Sequence, residues 1–131
     1  MNFDDFPDPN PPVLDLNSRD RWQAITELLD ALVASGKISR RHRPEIETAV
    51  VRREQALSTA IGSGIGLPHA LTDLLKEPVA VFGRSERGIN FDAPDKKPVF
   101  KVCLFLMPQG QFQKHVQLMA SITKLLAKPD F

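Results

Sequence analysis

Residues Val99 to Met107 are the most apolar segment of the chain, entered directly after Pro98 and closed by Pro108. Proline bounds of this kind and nine mostly apolar residues predict a strand buried on both faces, so packed layers must lie above and below it. Cys103 sits inside the run, which makes it a small core residue. As the chain's single cysteine, it has no intramolecular disulfide partner and suits a reducing compartment.

Three helices are predicted around this strand. About residues 18–35, Trp22, Ile25, Leu28, Leu29, Leu32 and Val33 recur at helical spacing after an N-cap at Asn17 or Ser18, and Gly36 supplies the stop. Trp22 is read as core. Pro44 suits the first position of a second helix, whose stripe is Ile46, Ala49, Val50 and Leu57. At about 100° per residue Arg53 falls in the middle of that stripe and Arg52 well to its side. Arg53 therefore either meets an internal carboxylate, snorkels outward, or binds an anion with its planar fork. The last helix follows Gly110 and Gln111 and carries Leu118, Met119, Ile122, Leu125 and Leu126. His115 shares their face, either as a core histidine or as a site residue.

Shorter signals complete the chain. Val13–Leu16 reads as an edge strand and Pro78–Gly83 as another strand. Ala70–Glu77 is a loop, and residues 84–97 are a long polar connection in which Ile89 and Phe91 form a short strand or a pin. Asp92 and Asp95 are turn chemistry. The basic run Arg40, Arg41, His42 and Arg43 is a solvated loop.

The stretch from Ser58 to His69 holds three of the seven glycines and no charged side chain before its histidine. Clustered glycines let backbone N–H groups approach an anion, and Ser58, Thr59 and Ser63 add hydroxyl donors. Gly62, Ser63 and Gly64 are thereby candidate phosphate binders. Pro68 biases Leu67 toward extended geometry and sets His69 at a strand end. With Arg53 and His115 on inner helix faces, these residues can converge on one phosphate-sized site.

Composition excludes several classes. At 131 residues the chain suits one domain. Residues 1–12 carry four prolines, three aspartates and no Lys or Arg, and read as a disordered acidic arm; residues 13–131 form the domain. The net charge is +1, or +4 without the arm's −3, too little for a nucleic-acid surface. No apolar run approaches the roughly 20 residues of a membrane span, and no secretory signal opens the chain, so a cytoplasmic protein is expected. Neither a metal nor a cofactor is called for, since three histidines without ligand spacing make no metal site.

The ordered pattern resembles the fructose/mannitol-type enzyme IIA domain of the bacterial phosphoenolpyruvate-dependent sugar phosphotransferase system, which includes the nitrogen-regulatory IIA proteins. The resemblance is carried by Arg53-Glu54, Ser58-Thr59, Gly62-x-Gly64-Ile65-x-Leu67-Pro68-His69, Lys76-Glu77-Pro78, Gly88–Ala93 and His115 with its leucines. It implies an α/β fold, a mixed β-sheet flanked by helices. It also implies that His69 is the phosphorylated histidine, His115 the second active-site histidine and Arg53 the steadying arginine. The implied donor is a phosphorylated HPr-like protein; the acceptor is a cysteine of an enzyme IIB domain, or the protein regulates a partner. The absence of a fused IIB or membrane domain tilts the reading toward regulation. A non-catalytic interaction module of the same fold is the alternative.

Three departures from the family pattern stand out. Ala70 replaces the usual glycine after the histidine, and Gly66 stands where alanine is frequent, which adds flexibility. The chain also stops at Pro129-Asp130-Phe131, short of the usual C-terminal helix. Apolar surface bared there predicts self-association, a homo-oligomer, or marginal stability.

Overall fold

The Val99–Met107 run is strand β6, and it occupies the middle of the sheet. The computed structural model describes residues 11–129 and 131; the expected acidic arm at 1–12 therefore lies almost wholly outside the described residues. Before β6 come β1 (Val13–Asp15), helix α1 (Arg21–Ala34), helix α2 (Arg43–Ala56), β2 (Ala60–Gly62), β3 (Ile65–Gly66), β4 (His69–Leu71) and β5 (Val79–Ile89). Helix α3 (Phe112–Leu126) follows it.

The sheet is mixed, in the order β1-β5-β6-β3-β2. Strand β5 is antiparallel to β6, and β1 runs parallel to β5 as the expected edge strand. On its other side β6 takes two short parallel partners in succession. Ile65 and Gly66 of β3 pair with Lys101 and Val102, and His69 to Leu71 of β4 pair with Phe105 to Met107.

Alternation along β6 divides the core, as a strand's twofold side-chain period requires. Val102, Leu104 and Leu106 pack with Ile25, Leu28, Leu29, Ile46 and Val50, beneath α1 and α2. Cys103, Phe105 and Met107 pack with Leu118, Ile122, Leu125 and Leu126 of α3 on the opposite face. Burying a leucine or phenylalanine fully contributes about 1.5–3 kcal/mol, so both layers are needed to hold this strand. Burial also raises the Cys103 thiol pKa far above its ordinary value and leaves it protonated. Phe131 meets the Phe82 ring edge-on at 5.5 Å and adds to the α3-side cluster.

Several expectations need correction. The N-cap of α1 is Asp20, whose carboxylate accepts from Gln23 N–H at 2.9 Å, not Asn17 or Ser18. Trp22 is not core: it is 36% exposed, and the Arg21 guanidinium lies 4.4 Å from its ring centroid. Leu57 lies beyond the end of α2 in extended geometry and is 66% exposed. Ala70 and Leu71 continue a strand from His69 rather than opening a loop, because β6 offers them a free ladder beyond β3. Strand β5 continues past Gly83 to Ile89, through a register shift after Arg84 that the polar sequence disguised. In the basic run, Arg43 is half-buried and bridges α1 to α2 through Asp30 and Glu47.

Gly66 has a steric reason rather than flexibility. A Cβ there would stand 2.9 Å from the Phe91 ring, which is fully buried. Overpacking of that kind costs about 1–3 kcal/mol. Gly66→Ala is expected to lower unfolding stability by about that amount, measured as a shift of the urea midpoint at constant slope.

Candidate active site

Past the end of β3, β4 pairs among the described residues with the central strand β6 alone, so its other edge is free at this end of the sheet. His69 opens β4, opposite Phe105, and its ring lies nearly parallel to that phenylalanine at a centroid distance of 4.8 Å. Helix α3 brings His115 to the same place, with the two imidazoles 5.5 Å apart. Helix α2 brings Ala49 and Arg53 from the other layer. Together with Ala70 and Leu71 these residues line a cleft of about 210 Å³. Arg53, His69 and His115, drawn from three separate elements, are thus assembled as the sequence suggested.

The Pro68 break explains the pose of His69. The imidazole is buried, and its Nδ1 lies 2.7 Å from the Leu67 carbonyl oxygen. A carbonyl only accepts, so Nδ1–H donates and Nε2 of the neutral ring keeps its lone pair. Burial is the largest influence on this imidazole and holds its pKa below 6.5, with Arg53 and His115 acting the same way; the Leu67 bond and the Glu54 charge oppose them. His115 is likewise held below its ordinary value, by burial first and then by Arg53. Its Nε2 is buried with no hydrogen-bond partner among the described residues, an unusual state for a native structure and one that a polar ligand atom would relieve.

Neither ring gains stability from its charge. Each has a folded pKa below the unfolded 6.5, so the unfolded chain binds the protons that the native state refuses. Their contribution to stability is therefore fully present above about 6.5, falls as pH drops through the folded midpoints and levels off below them. Ring-proton chemical shifts of both residues are expected to titrate with midpoints under 6.5, and a midpoint above that value for His69 would contradict the burial described here.

Arg53 lies at the margin of the α2 stripe rather than in its centre. It is half-buried, and Nη1 donates to the Leu57 carbonyl at 3.0 Å. Among the described residues no carboxylate pairs with it, so its charge remains available to the cleft. The buried stripe of α2 is Ile46, Val50 and Glu54. Glu54, named above only as part of the family pattern, is the residue to which sequence reasoning gave no role. The signal was present: Ile46, Val50 and Glu54 are spaced i, i+4, i+8, which puts a carboxylate on the innermost face.

The remaining candidates are placed elsewhere. Ser58 Oγ donates to the Phe91 carbonyl at 2.8 Å, and Thr59 Oγ1 donates to Glu54 Oε1 at 2.5 Å, so both hydroxyls are already committed. Gly62, Ser63 and Gly64 form the turn between β2 and β3, each with positive φ. The Gly64 carbonyl accepts from Phe100 and Lys101 N–H, five strand residues from Phe105. At about 3.3 Å per residue that is roughly 16 Å from His69, so the glycines shape a hairpin and do not surround the imidazole. Asp92 and Asp95 are turn residues as expected, with Asn90 and Asp95 side chains accepting backbone N–H two residues on. A larger groove of about 610 Å³ between β1 and the second half of β5 is lined by Arg19, Arg84 and Arg87 together with Asp15 and Glu86, and holds no histidine.

Comparison with known proteins agrees with this architecture. Residues 11–131 match the family described as phosphoenolpyruvate-dependent sugar phosphotransferase system, EIIA 2. A fructose-specific EIIA component from Haloferax volcanii is 36% identical over 107 residues, covering 82% of this chain and 68% of that protein. A nitrogen regulatory protein from Bradyrhizobium diazoefficiens is 30% identical over 119 residues, 91% of this chain and 74% of that protein. The crystal structure of nitrogen regulatory protein IIA-Ntr from Neisseria meningitidis superposes with a TM-score of 0.77 at 24% identity, over 90% of this chain and 79% of that one, and shows the shared fold. Among the described residues no helix is long and apolar enough to cross a membrane.

Proposed function

Since the chain belongs to the EIIA 2 family of the phosphoenolpyruvate-dependent sugar phosphotransferase system, we propose that it is a cytoplasmic phosphoryl carrier whose acceptor atom is Nε2 of His69. The observation that carries this reading is the 2.7 Å bond from Nδ1–H to the Leu67 carbonyl. It leaves one nucleophilic nitrogen, in a ring kept neutral at physiological pH by its burial.

In the proposed step, Nε2 attacks the phosphoryl group of a phosphohistidine donor of the HPr type. The donor N–P bond breaks as the Nε2–P bond forms, and the donor nitrogen keeps the electron pair. Phosphoryl transfer needs positioning and charge stabilisation more than covalent assistance. Arg53 supplies a planar, permanently charged fork beside the ring. His115, with its unpaired buried Nε2, donates to a phosphoryl oxygen. The glycine turn takes no part. The phosphoryl group then passes to an enzyme IIB-type cysteine or marks the state of a regulated partner. Relatives of both kinds, fructose-specific and nitrogen-regulatory, stand at 36% and 30% identity, and the proposed histidine step serves either reading. A cleft that gathers Arg53 and two histidines, with no carboxylate partner for Arg53 among the described residues, favours this chemistry over a purely structural module.

The test is intact mass after incubation with phosphoenolpyruvate, enzyme I and HPr. One acid-labile phosphoryl adduct is expected. No adduct on the folded protein, with a carrier that labels a control IIA domain, would sink the proposal and favour the interaction module.

A further inference from the structure

Glu54 is the one charged side chain fully enclosed among the described residues, with 0% exposure. Its carboxylate is bound from three directions. Oε2 accepts from Arg21 Nη1 and from Thr59 N–H, each at 3.0 Å, and Oε1 accepts from Thr59 Oγ1 at 2.5 Å. Arg21 Nη1 also lies 3.4 Å from the Glu54 carbonyl, at the open end of α2. A buried charge this fully bound is costly to assemble and fixes what surrounds it.

The surroundings include the reactive cleft. The two bonds to Thr59 close a short loop from Glu54 to Thr59, and Leu57 lies inside that loop. The Leu57 carbonyl is the acceptor of the Arg53 guanidinium at 3.0 Å. Arg53 is thus oriented by a carbonyl whose position is set by the carboxylate of the next residue in sequence.

We propose that Glu54 is a positioning residue for phosphoryl transfer, acting through Arg53 by clamping the turn that carries Leu57. The inference rests on the carrier reading above. Glu54 touches no reacting atom. Its carboxylate holds the turn still, and the turn holds the guanidinium toward the cleft.

A double-mutant cycle separates this from a merely structural role. Glu54→Gln keeps the shape but removes the charge facing Arg21 and leaves one oxygen where two accepted, so the three bonds cannot all be kept. The expected result is phosphoryl transfer to His69 slowed about tenfold in the otherwise native chain, and less than about twofold when Arg53 is already replaced by alanine. Nitrogen relaxation of the Arg53 Nε–H should report a less ordered guanidinium in Glu54→Gln. Equal slowing in both backgrounds, or a lowered melting temperature with an unchanged rate, overturns the proposal. If Glu54→Gln gives no cooperative melt, Thr59→Val takes its place. It removes one of the three bonds and should slow transfer about threefold under the same additivity criterion. Native protein is labelled first: no adduct on His69 overturns the carrier reading and this inference together, whereas a labelled native protein with additive variants overturns this inference alone.

Discussion

His69→Ala is expected to carry no phosphoryl group after incubation with phosphoenolpyruvate, enzyme I and HPr, while the native chain carries one. The chain keeps two other histidines, so the variant also asks whether either can substitute. His115 faces the same cleft, with its ring 5.5 Å from that of His69. His42 precedes α2 as its N-cap residue, and it does not line the cleft. Among the described residues, only His69 has a carbonyl fixing Nδ1–H and freeing Nε2. Removing the imidazole leaves Phe105 without its stacked neighbour, but the rest of the α3-side cluster still packs around it. The variant should therefore still melt cooperatively, and that melt is the control that gives a missing adduct its meaning. An adduct of native yield on His69→Ala would move the acceptor elsewhere.

Arg53→Ala is expected to slow transfer about 100-fold, in the range found when one preorganised donor is removed from a site of developing charge. The loss should appear in the maximal single-turnover rate more than in the donor concentration giving half-maximal rate, because the guanidinium acts on the migrating group. Arg53→Lys should recover little of it, since an ammonium lacks the planar fork that can both hold the Leu57 carbonyl and face a phosphoryl oxygen. Removing Arg53 also withdraws a positive charge that lowers the pKa of both imidazoles, so the midpoints of His69 and His115 should rise in the variant. A rate within threefold of native in both variants, on the scale just given, would remove Arg53 from the mechanism.

The sequence revealed what repeats and what is punctuated. The spacing of Leu28, Leu32, Leu118 and Ile122 gave helices, and prolines on both sides of Val99–Met107 gave the central strand with its bounds. Extended geometry at His69 followed from Pro68, although the strand runs on from the histidine instead of ending there. The convergence of Arg53, His69 and His115 was legible because polar residues on apolar faces are conspicuous. What stayed hidden depends on partners distant in sequence. Strand β4 exists because β6 extends beyond β3, which no local pattern in residues 69–71 announces. The glycine turn invited an anion-binding reading because free N–H groups look alike in sequence. Only the pairing of Gly64 with Phe100 and Lys101 sets it at the other end of the ladder. Trp22 satisfied the helical period yet faces outward, since a period cannot say where the stripe's margin falls. Glu54 was obscured by its neighbour: of two adjacent charges on α2, the conspicuous arginine drew the reading and the carboxylate went to the interior.

Among the described residues, helix α3 begins without a side-chain cap and Gln111 Oε1 before it is buried without a hydrogen-bond partner, and His115 rides on the first turn. The leucines and isoleucine that anchor the helix lie farther along it. Fraying of that first turn would withdraw His115 while α1, α2 and the sheet stay folded, which would make competence depend on how fully the turn is wound. By linkage, a phosphoryl group that touches His115 must favour the wound turn by as much as the wound turn favours the phosphoryl group. Amide exchange near residues 113–116 is then a gauge of charge state, slower in the loaded protein than in the empty one. A partner reading that turn would sense, without touching His69, whether the carrier is full.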